Sequence, residues 1–192
     1  ILTAIFTSIF GGVNTLWDRR YGFMNKALTS PISRSAIALG KMASISLIAA
    51  LQASLIIGIA LAIGVTFPNP LMIIPIMGIV ILFSLGFSGI SVSLAATAKS
   101  QETFWGMINL LGMPLFMLSP ALFPLELLPN WLAVIAKLNP VTYTVLLVRE
   151  LMTGVSEGGV PIWISIVVLF AFVITMVAIT SYVFTREVNK PF

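Results

Sequence analysis

Apolar residues run in long blocks along this chain, and polar residues are confined to the short intervals between them. The first block covers about 1–16 and opens inside an apolar run, with no charged stretch or small-residue cleavage site before it. It is therefore not read as a signal peptide, and a further span upstream is expected. A polar segment at about 17–41 follows and carries Asp18, Arg19, Arg20, Lys26, Arg34 and Lys41. Within it, Ser30-Pro31 predicts a helix N-cap followed by a proline at the first helical position. A second block covers about 38–66 and a third about 71–98. Phe67-Pro68-Asn69-Pro70 separates them as a tight turn, because two prolines and an asparagine do not continue a helix. After Lys99-Ser100-Gln101-Glu102 comes a fourth block at about 103–123, where Pro114 predicts a kink.

Between Pro124 and Gly159 the pattern changes. Pro124, Pro129, Pro140 and Gly158-Gly159 punctuate two half-apolar pieces, 131–138 and 141–152. Each falls short of the ~20 residues a bilayer-spanning helix needs, and both predict re-entrant or interfacial helices. A last block at about 161–185 ends in Arg186-Glu187-Val188-Asn189-Lys190. No alternating segments of about ten residues occur, which argues against a membrane β-barrel. The predicted fold is an all-α membrane bundle of about five spans, forming one domain over 1–192.

Composition makes lipid the necessary solvent. Apolar residues make up 59% of the chain, charged residues 8%, and mean hydropathy is +1.11. A soluble domain carries roughly 25% charged residues, so this one could not cover its surface with polar groups. Cysteine and histidine are both absent. Disulfides, metal sites built on either residue, imidazole bases and thiol nucleophiles are thereby excluded.

The net charge of +4 fits basic cytoplasmic loops better than a nucleic-acid partner. Alternating the spans puts Arg19, Arg20, Lys26, Arg34, Lys41, Lys99, Arg186 and Lys190 on one side and only Lys137 and Arg149 on the other. The first side is then cytoplasmic, with the loop 17–41 and the C-terminal end facing it across the cell membrane. Trp17, Trp105, Trp131 and Trp163 fall near the span ends, where an aromatic belt belongs.

Beyond Lys41 at the entry to the second block, the spans carry no Asp, Glu, Lys or Arg. Ion-driven pumps place a titratable group at membrane depth, so a secondary transporter or channel is the weaker expectation. Ser46, Ala50, Ser54, Gly58 and Ala62 recur every four residues, a spacing that suits close helix packing or a sliding interface. Ser84, Ser88 and Ser91 share a face of the third span, and Gln52 and Asn109 add amides at depth. Together these five could line a weakly polar substrate path, or the hydroxyls could simply bond carbonyls of their own helix. No catalytic constellation is present, so a membrane-embedded lipid enzyme is the weakest reading and none of these residues is expected to be catalytic.

The polar loop mixes charge with Tyr21, Phe23, Met24 and Leu28, which suits either a helix docked into a partner's groove or one lying on the lipid surface. Asp18-Arg19-Arg20-Tyr21-Gly22, then Leu28-Thr29-Ser30-Pro31-Ile32-Ser33-Arg34 and Leu39-Gly40-Lys41, resembles the cytoplasmic loop of ABC type-2 permeases. That family includes daunorubicin-type drug-resistance exporters and nodulation or polysaccharide exporters. Asn139-Pro140-Val141-Thr142-Tyr143 with Arg149 is similar to the stretch that precedes the family's last span. Where the family often carries Glu at the first acidic position of the loop, this chain has Asp18.

The resemblance implies a half-transporter that pairs with a second permease copy and with cytoplasmic ATP-binding-cassette ATPase subunits. ATP and Mg would be bound by those subunits, and no cofactor by this chain. It makes Asp18, Arg19, Arg20, Tyr21, Gly22, Lys26, Leu28, Pro31 and Arg34 an ATPase-coupling loop. Asn139, Pro140, Tyr143 and Arg149 become an extracellular gate motif. The cargo class it implies is an amphipathic drug, a lipid or a lipid-linked glycan moved outward.

Overall fold

The computed structural model describes residues 1–29, 31–65, 69–121, 129–154 and 159–187. Nine helices occur among them, in the order α1 Leu2–Gly11, α2 Val13–Arg20, α3 Phe23–Leu28, α4 Arg34–Ala62, α5 Ile73–Thr97, α6 Gln101–Met117, α7 Asn130–Leu138, α8 Pro140–Thr153 and α9 Ile162–Glu187. A 3₁₀ turn, Pro70–Met72, leads into α5, and no strand is found among the described residues. Only α-helices and closed barrels satisfy every backbone group inside lipid, and this chain takes the helical solution.

Three helical segments are long and apolar enough to cross a membrane: Arg34–Ala62, Pro70–Thr97 and Ile162–Glu187. The piece Trp131–Leu138 meets Pro140–Thr153 at 85°, a bend that either a re-entrant element or a single broken span produces. The first predicted span comes out divided, and the fourth shorter than the sequence pattern indicates. The first divides at Gly12 into α1 and α2. The fourth, α6, stops at Met117 after 17 residues, roughly 26 Å at 1.5 Å per residue. Pro114 lies inside α6, and the helix ends one turn later with the Leu118 N–H donating to the Pro114 carbonyl at 3.0 Å. Of the predicted turn at 67–70, Phe67 and Pro68 lie outside the described residues, as do Pro124 and Gly158.

α5 is the axis of the bundle. It packs against α1, α4 and α9, and its buried side includes Phe83, Phe87, Val92, Ala95 and Ala96. The Phe83 and Phe87 rings stack at 5.1 Å, and Phe172 of α9 closes on Phe87 at 6.2 Å. In lipid no hydrophobic force drives one apolar helix onto another, so small residues that permit close approach carry the packing. A Cβ at Gly86 would meet Phe172 at 2.9 Å, and one at Gly89 would meet the Thr180 hydroxyl at 2.8 Å. Hydroxyls then tie the helices to one another. Ser46 donates to the Ile81 carbonyl at 2.7 Å, Ser91 to the Ser8 carbonyl at 2.6 Å and Thr180 to the Gly89 carbonyl at 3.0 Å.

The four-residue stripe on α4 is only half used for packing. Ser46 and Ala50 are buried, whereas Ser54, Gly58 and Ala62 are exposed. Leu47, Leu51, Leu55 and Ile59 are exposed on the same helix, which fits a lipid-facing surface.

Gly12 marks the tightest approach of the first segment to α5: a Cβ there would lie 2.5 Å from the Ser91 carbonyl oxygen, whereas one at Gly58 would meet nothing within 4 Å. Gly12→Ala is expected to destabilise the detergent-solubilised protein by ~1–3 kcal/mol, the range for overpacking. Gly58→Ala is expected to be neutral or to stabilise by up to ~1 kcal/mol through helix propensity. Thermal melts of the two variants beside the unaltered chain check both signs.

Candidate functional site

The charged end of the bundle is built around the turn between α2 and α3. Gly22 adopts a left-handed conformation, φ +76°, and the residue just past a helix end commonly does so because glycine has no Cβ to clash. Tyr21 and Gly22 donate back to the Trp17 and Arg19 carbonyls at 2.9 and 3.4 Å, closing α2 and redirecting the chain into α3. The turn separates the predicted coupling residues into two sets. Tyr21 and Phe23 are 68% and 61% exposed, and Arg20, Lys26 and Pro31 are also exposed. Asp18 and Arg19 are partly buried, and Met24 is 3% exposed.

Each inward residue has a defined partner. Asp18 forms an ion pair with Lys41 of α4. Met24 joins an apolar cluster with Ala38, Met42, Val92, Ala96 and Phe184, drawn from α4, α5 and α9. Arg19 reaches the end of α5, where one guanidinium nitrogen donates to the Ala96, Ala95 and Ala98 carbonyls at 2.6, 3.0 and 3.4 Å. Burial lowers the Arg19 pKa from its ordinary value, and the charge of Glu187 on α9 acts against that shift. Nearby, the Glu102 carboxyl is held below its usual value by a hydrogen bond from Ser100, by its own backbone N–H and by the charge of Arg20.

The start of α4 differs from the sequence reading. The cap is Ser33, whose side chain accepts from the Ala36 N–H at 3.3 Å, and Arg34 is the first helical residue. Pro31 therefore precedes the helix rather than opening it, and Ser30 lies outside the described residues. Leu28 ends α3, with its side chain outside the described residues.

At the opposite end the predicted gate residues form a pinned corner. Asn139 caps α8 by accepting from the Val141 N–H at 3.0 Å, and Pro140 occupies the first helical position. The Asn139 amide also donates to the Leu115 carbonyl of α6 at 2.6 Å. Tyr143 donates to the Lys137 carbonyl at 2.7 Å and Thr142 to the Ala136 carbonyl at 2.6 Å, both near the end of α7. Arg149 donates to the Pro120 carbonyl at 2.9 Å. Side chains from one short stretch thus donate to carbonyls near the ends of α6 and α7, where intrahelical donors run out, and the Ala136 carbonyl also accepts from the Asn139 backbone N–H at 3.1 Å. Thr142 belongs to this set although the family resemblance singles out only its neighbours.

The five predicted path residues do not converge. Ser84, Ser88 and Ser91 are buried between helices. Ser88 donates to the Leu85 carbonyl at 2.9 Å, and Ser91 to the Ser88 carbonyl at 3.0 Å as well as to Ser8. Gln52 accepts a hydrogen bond from Thr7 of α1. Asn109 is exposed and donates to the Trp105 carbonyl of its own helix at 2.9 Å. An apolar cavity of about 300 Å³ lies among Ala53, Ile57, Ile76, Val80, Val148 and Met152, and none of the five lines it. Among the described residues no group of acidic side chains could hold a metal ion.

Two features at the charged end escape a reading of the sequence: the burial of Met24 and the inward turn of Arg19. In a six-residue helix one apolar side chain is as plausible outside as inside until the turn at Gly22 fixes its rotation. For the pinned corner, Asn139→Ala removes both the α8 cap and the tie to α6, whereas Asn139→Ser keeps a capping oxygen and loses only the tie. Loss of an N-cap costs ~0.5–2 kcal/mol, so thermal melts are expected to place the Ala variant below the Ser variant, and both below the unaltered chain.

Comparison with known proteins places this architecture. The family model described as ABC-2 type transporter matches residues 1–153. The chain is 31% identical over 152 residues to a putative transport permease, ycf38, of Cyanophora paradoxa, covering 77% of this chain and 52% of that protein. It is 27% identical to nodulation protein J of Sinorhizobium fredii, covering 76% of this chain and 55% of that protein. To the probable multidrug ABC transporter permease YbhR of Escherichia coli K12 it is 24% identical, covering 74% and 39%. The chain spans about half the length of the curated relatives it matches most extensively. Its α-helical bundle, its apolar spans and this match together show a multi-pass membrane protein that belongs to the ABC-2 type transporter family.

Proposed function

We propose that this chain is the membrane-embedded portion of an ATP-driven exporter permease, and that α3 with the preceding turn is the surface on which a cytoplasmic ATP-binding-cassette ATPase docks. The observation that carries this reading is the pairing of exposure with anchorage. Tyr21 and Phe23 present large apolar rings outward beside Arg20 and Lys26, while Met24 and Arg19 of the same turn are fixed into the bundle. A solvated linker has no use for exposed rings, and a docking face has little use for them unless its backbone is held.

The remaining parts of the proposal follow from this one. ATP and its Mg would be held by the ATPase, and closure of an ATPase pair would push on α3. A second permease copy would complete the pathway. The basic end would face the cytoplasm across the cell membrane, by the charge asymmetry of the loops. The corner at Asn139, Pro140, Tyr143 and Arg149 would close the outer end. The names of the relatives, among them a nodulation protein and a probable multidrug permease, support an amphipathic drug, lipid or lipid-linked glycan as cargo. The apolar cavity near that end is consistent with such a molecule.

The test is capture of the ATPase. Tyr21→Glu combined with Phe23→Glu is expected to lower ATPase activity co-purifying with the tagged permease at least tenfold, while the amount inserted in membranes stays unchanged. Capture equal to that of the unaltered protein would refute the docking assignment and would favour a helix lying on the lipid surface.

A further inference from the structure

Sequence reading places Arg19 among the docking residues, yet its side chain turns away from the docking face and caps α5. We propose that Arg19 is a positioning residue that makes α5 and α9 follow the α2–α3 segment, so that force received at Tyr21 and Phe23 reaches the far end of the bundle. This inference rests on the reading of that segment as the ATPase dock.

The geometry supplies the reason. The last carbonyls of a helix have no intrahelical partner and carry the negative end of its dipole. Arg19 meets two of them, Ala96 at 2.6 Å and Ala95 at 3.0 Å, and the carbonyl of Ala98 just past the helix at 3.4 Å. Because the acceptors are backbone atoms, a displacement of Arg19 acts on the α5 helix itself rather than on a mobile side chain. Ala96 is held twice: its carbonyl by Arg19, and its methyl in the cluster that receives Met24. The apolar contact is non-directional and can slide, whereas a charge-assisted hydrogen bond fixes direction.

Glu187, the last residue of α9, lies within electrostatic reach of the same guanidinium. The neighbouring carboxylate, Asp18, is engaged with Lys41 of α4. One short turn is therefore linked to three long helices, by Arg19 to α5, by Asp18 to α4 and by Met24 to Phe184 of α9. Beyond this junction, α5 and α9 are in close contact at Gly86 and Gly89, so movement of one helix requires a response from the other.

The absence of cysteine from the chain allows clean labelling. Spin labels at Leu71→Cys and Leu138→Cys, both exposed at the end opposite the charged loop, report a distance across the outer end of the full permease–ATPase complex. Trapping ATP hydrolysis with vanadate is expected to shift that distance in the otherwise unaltered complex. In Arg19→Gln the shift is expected to fall at least threefold although the ATPase still co-purifies and hydrolyses ATP. Arg19→Lys, which keeps a charge and a donor but not the guanidinium fork, is expected to retain at least half of the shift. An undiminished shift in Arg19→Gln overturns the proposal.

Should Arg19→Gln fail to accumulate, Arg19→Met takes its place, since it keeps an unbranched side chain without a donor: a reduced shift supports the proposal and an unchanged one overturns it. If even the unaltered permease captures no ATPase, the docking reading fails, and the tie is judged alone from a label at Lys26→Cys. Increased label mobility in Arg19→Gln then supports the tie, and unchanged mobility overturns it.

Discussion

Helix ends are the constraint on which this molecule depends. A helix interior satisfies its own backbone, but the last four carbonyls do not, and near lipid there is little water to take them. In this bundle side chains from neighbouring segments supply the missing donors. Arg19 serves the end of α5, Asn139 serves α6, and Thr142 and Tyr143 serve α7. These ties hold the short elements in place, because apolar packing in lipid offers little to orient a helix of six or nine residues.

The long elements were legible from apolar block length because lipid solvation acts on composition and not on detail. α4, α5 and α9 follow their blocks closely. Legibility fails where one residue's geometry decides. Gly12 divides the first block at the point where α5 approaches it most closely. Ser33 rather than Ser30 caps α4, which chain statistics for Ser-Pro cannot resolve when another serine stands three residues on. The motif at Asn139 was readable as a family feature, but its physical role as a set of carbonyl donors appears only when α6 and α7 are brought beside it.

The serine face on α5 shows how the same residue types serve two ends. At membrane depth a hydroxyl can line a polar path or satisfy a carbonyl at no cost in bulk. Ser88 and Ser91 do the second, and Ser91 reaches the neighbouring helix α1 as well. Ser84 has a buried hydroxyl without a hydrogen-bond partner among the described residues, and its backbone carbonyl accepts from Ser8 at 3.4 Å. Small size, more than polarity, is what this face contributes: it lets α1 and α4 approach α5 closely enough for hydroxyl-to-carbonyl bonds to form across the gap.

The two ends of the bundle perform the same structural task with a different balance of donors. At the Asn139 corner three donors are neutral, from Asn139, Thr142 and Tyr143, and one is the Arg149 guanidinium; a neutral hydrogen bond contributes a net ~0.5–1.5 kcal/mol. At the charged end the donor is a guanidinium aimed at a helix dipole, and bonds to charged groups are worth roughly 1.5–3 kcal/mol. If the α2–α3 segment is the ATPase dock proposed above, a tie of this strength keeps it attached to α5. Arginine has no acceptor to satisfy and stays ionised when partly buried, which makes it suited to a role that lysine, with its readily shifted pKa, would fill less reliably. An arginine in a basic loop, which charge counting assigns to the surface, thus turns inward where free helix-end carbonyls can accept from it.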